Sequence, residues 1–170
     1  MLETSRTSTV LTMQESVEHD CNQQATAFAR GFVAGMFVGE GTLGMQKHNA
    51  KGMTHLKYSP RIRISNTDYG IIQETVNCLK MLELPFFVEQ CNRETTSWNV
   101  CIIGWERVAK FSKVLFRHIV GRKAIQLGLL NELYYARRER IFLDDCTQKE
   151  RNLIKGIFDL NKKGRGVLRD

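Results

Sequence analysis

The stretch Ala34-Gly35-Met36-Phe37-Val38-Gly39-Glu40-Gly41 constrains this chain more than any other. It reads as an apolar, small-residue helix that stops on a glycine, with one carboxylate set between two glycines. Gly31, Gly35 and Gly39 recur at every fourth position, so they share one helical face. A face of glycines lets a second backbone approach closely, as small residues do wherever helices pack tightly. Glu40 then falls at the helix C-terminus, where the macrodipole is already negative. A carboxylate in that unfavourable place points to a cation beside it. The plainer alternative is a C-terminal cap and turn with the glutamate in water.

From Val33 to Gly41 the chain resembles the signature of the LAGLIDADG homing endonucleases. Ala34, Gly35, Gly39, Glu40 and Gly41 match the family pattern, and Val33, Met36 and Phe37 are apolar at positions that are normally apolar. Val38 departs from it, because an acidic residue is common there. In that family metal binding falls to the second acidic position, which here is Glu40.

The order of elements supports the same reading. Asn22 is placed to cap a helix over 24–38, and Gly41 ends it. A strand follows over 42–46, then a polar loop over 47–57. Residues 58–65 alternate, with Pro60, Ile62 and Ile64 on one face and Arg61, Arg63 and Ser65 on the other. Asn66-Thr67-Asp68 supplies cap chemistry for a helix carrying Ile71, Ile72, Thr75, Val76, Leu79 and Leu82 at helical spacing. Residues 86–92 and 98–103 read as a hairpin. After Gly104 the chain turns helical over 105–119, breaks at Gly121 and resumes over 123–140. Thr147-Gln148-Lys149-Glu150 is a capping box that opens a last amphipathic helix.

The expected fold is therefore α+β. It is the LAGLIDADG αββαββα core with a saddle-shaped antiparallel sheet and extra C-terminal helices, the resemblance covering about 24–140. The expected organisation is a flexible polar N-terminal segment over 1–21, a single domain over 22–161 and a basic tail over 162–170. The sequence carries one copy of the motif, and in that family a chain with one motif works as a homodimer. Gly31, Gly35 and Gly39 are the expected dimer interface.

Composition is consistent with this. A chain of 170 residues with 42% hydrophobic residues can bury a real core, and its net charge of +7 favours a polyanionic partner. The five cysteines show no Cys-x-x-Cys pair, which argues against zinc and against a secreted disulfide framework. Cys91 and Cys101 fall on the two strands of one expected hairpin, where they either pair or stay as two reduced buried thiols. Neither a signal-type apolar run nor a stretch long enough to span a membrane is present. The expectation is a soluble, intracellular protein, in the cytoplasm of a prokaryote or in an organelle.

Two copies of the glycine helix packed about a twofold axis would end side by side and present two Glu40 carboxylates. Such neighbouring anions repel, and a hard divalent cation relieves the repulsion. The resemblance implies a Mg²⁺-dependent cut in both strands of DNA, at a long near-palindromic site spanning an intron insertion point. It implies Glu40 and Gly39 as metal ligands, and Glu40, Asn66 and Lys123 as catalytic residues. Asn66 corresponds to a polar residue near the end of the second strand that helps position water. Lys123 corresponds to a lysine after the third helix, with its neighbour Arg122 as the alternative match should the register differ by one residue. Base and phosphate contacts are expected from the strands, at Gln46, His48, Arg61, Arg63, Arg93 and Asn99. The alternative function is a non-cleaving binder on the same fold, either an intron RNA maturase or a DNA-binding regulator.

Overall fold

The computed structural model describes the backbone of residues 4–48, 57–92, 95–139 and 146–162, and the side chains of 22–46, 58–91, 95–139 and 146–161. The first helix, α1, runs Thr4–Glu40. It therefore begins well before the expected start near Gln24. Asn22 is not its cap; the Asn22 carbonyl accepts a hydrogen bond from Thr26 Oγ1 (2.8 Å), as inside a helix. Neither glycine nor proline occurs between Thr4 and Arg30 to stop the helix.

One face of α1 carries Ala29, Val33 and Phe37, each fully buried. Gly31, Gly35 and Gly39 are offset from these by two residues, about 200° around the helix. The glycines thus lie on the side turned away from the core, and all three are exposed.

Four antiparallel strands follow: β1 Gly41–His48, β2 Lys57–Asn66, β3 Phe87–Asn92 and β4 Thr96–Ile103. Their order across the sheet is β1-β2-β4-β3. Leu43 pairs with Ile62, Ile62 with Ile102, and Ile64 with Val100. These side chains form a buried row under the helices. Because side chains alternate along a strand, the opposite face collects Thr42, Gly44, Gln46, Arg61, Arg63, Ser65, Asn99, Cys101 and Glu89. The alternation in β2 fixes this register, since a slip of one residue would bury the arginines.

The helix between the hairpins, α2, runs Tyr69–Met81 and is capped by Asp68, whose carboxylate accepts from the Gly70 amide (2.7 Å). Next, α3 spans Trp105–Leu115, and its Phe111 packs edge-on against Phe37, ring centres 5.3 Å apart. A 3-10 turn at Phe116–His118 precedes α4, Gly121–Arg138. Gly121 takes a φ of +64°, which explains why glycine stands at this break.

The last helix, α5 Gln148–Lys162, opens on the expected capping box. The Thr147 amide donates to Glu150 Oε2 (2.7 Å) while the Glu150 amide donates to Thr147 Oγ1 (3.2 Å). Its far end is tied to the sheet, with Asn161 Nδ2 donating to the Leu43 carbonyl (2.7 Å) and Gln126 Nε2 donating to Asn161 Oδ1 (2.8 Å). The fold is thus mixed α+β, in the expected αββαββα order with added C-terminal helices. Among the described residues no helix is long and apolar enough to cross a membrane.

Cys91 and Cys101 are not partners across the hairpin. Cys91 stands opposite Ser97 and Cys101 opposite Phe87, and both thiols are free. Tight pairing from Asn92–Thr96 onwards sets a register that separates the two cysteines along the strands.

Candidate nucleic-acid interface

Glu40 is the last residue of α1 and is exposed. The chain passes directly into β1 through Gly41, with no intervening loop. Only glycine fits this join. A Cβ at position 41 would lie 2.8 Å from the Phe37 Cα and would collide with the Phe37 ring and carbonyl oxygen. The last carbonyls of a helix have no partner within it, so the Gly39 carbonyl and the Glu40 carboxylate are neighbouring oxygen donors at a negative helix end. That donor chemistry fits a hard divalent cation. Among the described residues of one chain, no three His, Cys, Asp or Glu side chains gather into a metal cluster. A Mg²⁺ ion held by one or two protein oxygens keeps several waters in its shell, so a large cluster is not required.

Lys123, in the first turn of α4, comes close to this helix end. Its Nζ lies 5.5 Å from the centre of the Phe37 ring, and Phe37 is three residues before Glu40. Burial, with the charge of Arg122 beside it, holds the Lys123 ammonium below its ordinary pKa. Asn66 ends β2, two residues past Ile64, the partner of Gly41. Its Oδ1 accepts from the Asp68 amide (2.8 Å), so that oxygen helps shape the entry to α2.

The polar sheet face borders a cleft of about 940 Å³, in which Gln46, Arg61 and Arg63 meet Arg122, Lys123 and Asn161. Strand arginines and the basic start of α4 therefore share one cavity. Arg61 is held across the sheet, its Nη2 lying 2.7 Å from Glu89 Oε2 and 3.1 Å from Cys101 Sγ. The Nε atoms of Arg61 and Arg63 are both buried without a hydrogen-bond partner among the described residues. Asn99 is buried, its Oδ1 accepting from Ser65 Oγ (2.6 Å). The backbone of His48 pairs with Lys57 in β1–β2, but its side chain lies outside the described residues, as does all of Arg93.

The glycine face of α1 is open. A Cβ added at Gly31, Gly35 or Gly39 would meet nothing within 4 Å. On the preceding turns Phe28 is 58% exposed and stacks on Phe32, ring centres 5.8 Å apart.

Sequence reasoning missed two features of this surface. Glu89 and Cys101 were visible as alternating strand residues, yet only the pairing of β3 with β4 and of β4 with β2 places them beside Arg61. Asn161 carried no local signal, because its partner is a backbone carbonyl on β1.

No family model matches the chain, and no curated protein does. Solved structures do resemble it. Homing endonuclease I-CvuI, in complex with the I-CreI target in the presence of Mg with the DNA not cleaved, superposes with a TM-score of 0.54 at 14% identity, over 85% of this chain and 87% of that one. Homing endonuclease I-TnaI superposes with a TM-score of 0.54 at 14% identity, over 77% of this chain and 97% of that one. The LAGLIDADG homing endonuclease I-SmaMI, bound to cleaved DNA, superposes with a TM-score of 0.58 at 10% identity, over 75% of this chain but 42% of that longer one. The chain therefore has the LAGLIDADG homing-endonuclease fold.

Proposed function

We propose that this chain, which carries the LAGLIDADG homing-endonuclease fold, is a site-specific DNA endonuclease acting as a homodimer. Its target would be a long near-palindromic duplex, cut in both strands with Mg²⁺. The observation that carries this reading is Glu40, exposed at the end of a helix whose glycine face is open.

Two glycine faces pack without steric cost and bring two Glu40 side chains together at the twofold axis. Each Glu40 carboxylate and Gly39 carbonyl would hold a divalent cation against the scissile phosphate. The cation, when bound, supplies charge to activate water and to stabilise the leaving oxygen. Lys123, already desolvated, would place its positive charge beside the same phosphate. Asn66, at the end of β2, would position water through its side-chain amide.

The sheet supplies recognition. A two-stranded ribbon fits the major groove, where each base pair has its own pattern of donors and acceptors. Gln46, Arg61 and Arg63 line the cleft and would reach base edges; Asn99, His48 and Arg93 are further candidates on the same two hairpins. Arg122 would serve phosphates, which give affinity without sequence information. Dimer symmetry sets the two half-sites about one helical turn apart, roughly 10 base pairs.

The test is incubation of the protein with a randomised near-palindromic duplex library and Mg²⁺, followed by sequencing of the cut ends. Recovery of one long cut site supports the endonuclease. Selection of bound duplexes without any cutting would favour the regulator reading, and binding of intron RNA in place of duplex would favour the maturase.

A further inference from the structure

Glu89 is out of place on a surface meant for DNA. Phosphates only accept hydrogen bonds and are themselves anionic, so a carboxylate there opposes binding unless it meets a donor. In the major groove the donors are the cytosine N4 and adenine N6 amino groups. Glu89 is also not alone. Its Oε2 lies 2.7 Å from Arg61 Nη2, with side-chain exposures of 22% for Arg61 and 41% for Glu89.

The same Nη2 donates to Cys101 Sγ (3.1 Å), and Cys101 is fully buried beneath the face. Both protons of Nη2 are thereby engaged, which holds the guanidinium to one orientation. An arginine held in this way loses little rotamer freedom on binding. The Cys101 thiol in turn donates to Glu89 Oε2 (3.5 Å), and Glu89 Oε1 takes part in neither of the two contacts to that carboxylate.

A fixed donor group beside a fixed acceptor matches one base pair better than the others. G·C presents two acceptors on guanine, N7 and O6, followed by the N4 donor of cytosine. A·T places its N6 donor between two acceptors, so a guanidinium set against the purine meets a donor. We propose that Arg61 and Glu89 read a single G·C pair in each half-site as one unit. With Nη2 engaged and Nε buried, Arg61 donates to guanine from Nη1, and Glu89 accepts from the N4 of its cytosine, while Cys101 positions Arg61. This rests on the DNA-binding reading above and adds which base is specified, and by which side chains.

The experiment is selection of bound duplexes from a randomised near-palindromic library, for wild type, Glu89→Gln and Arg61→Lys, in Ca²⁺ to separate binding from cutting. Glu89 is partly exposed and Gln is its isostere, so loss of fold is not expected; far-UV circular dichroism checks this. Wild type should select G·C at one position of each half-site by about tenfold or more, the discrimination of a good side-chain contact. Glu89→Gln should relax that position alone, and Arg61→Lys should relax it too, leaving the other positions selected. Unchanged selection in Glu89→Gln, or uniform weakening at all positions, overturns the proposal while leaving DNA recognition standing. If wild type selects no duplex at all, the DNA-binding reading and this inference both fall.

Discussion

The Lys123 ammonium lies 5.5 Å from the centre of the Phe37 ring, and that same ring closes the space beside Gly41. Phe37 is fully buried and packs edge-on against Phe111. One core side chain thus links both charged candidates: Glu40 follows it by three residues along α1, and Lys123 reaches over it from α4. The placement of both charges depends on how well this ring is packed.

Replacing Gly41 tests the packing. In Gly41→Ala the added methyl meets Phe37 backbone and ring atoms, so the helix–strand join must shift. Overpacking of this kind costs about 1–3 kcal/mol. Thermal denaturation should show the loss of stability, and cleavage should fall further than the fraction of unfolded protein explains, because Glu40 moves with the join.

Lys123 predicts a pH effect of definite sign. Burial and Arg122 lower its pKa from the ordinary 10.5, so its charged form is disfavoured in the folded chain. The associated loss of stability is fully present below the folded pKa. It is relieved as pH rises from that value towards 10.5, where the unfolded chain binds more protons than the folded one. Cleavage should therefore lose its alkaline limb below the pH at which an ordinary lysine titrates, and Lys123→Arg should extend that limb upward. Lys123→Met should raise thermal stability yet lower the cleavage rate by about 100-fold, the size of effect seen when a transition-state donor is removed.

Gly35→Leu separates dimer packing from folding. Position 35 faces open space, and a leucine there is a better helix former by roughly 1 kcal/mol. The single chain should fold at least as stably as wild type. Sedimentation should nevertheless show a monomer where wild type gives a dimer, because the side chain holds the two helices apart. A dimer that survives this substitution would place the interface elsewhere.

Much of the architecture was legible in the sequence, for reasons that are local. The alternation Arg61-Ile62-Arg63-Ile64 sets both faces of β2, and the box Thr147-Glu150 opens α5 through two reciprocal hydrogen bonds. Asp68 and Gly121 mark their boundaries by cap and turn chemistry. The start of α1 was not legible, because Asn22 resembles a cap and the segment before it is mostly polar and rich in Thr and Ser, which are weak helix formers. Pairing across strands was also hidden. The separation of Cys91 from Cys101, the tie from Arg61 to Glu89 and the bond from Asn161 to β1 all depend on register between segments distant in sequence. The nine-residue motif pointed to Glu40 and the glycine face directly, whereas the burial of Lys123 over Phe37 required the tertiary fold.

The most direct measurement compares wild type with Glu40→Gln on a site recovered from the library, scoring cleavage in Mg²⁺ and binding in Ca²⁺. Gln keeps the size and hydrogen-bonding capacity of the side chain but removes the anion that would hold the cation. Double-strand cleavage should be lost completely while affinity stays nearly unchanged. Retained cleavage by Glu40→Gln would remove Glu40 from the mechanism.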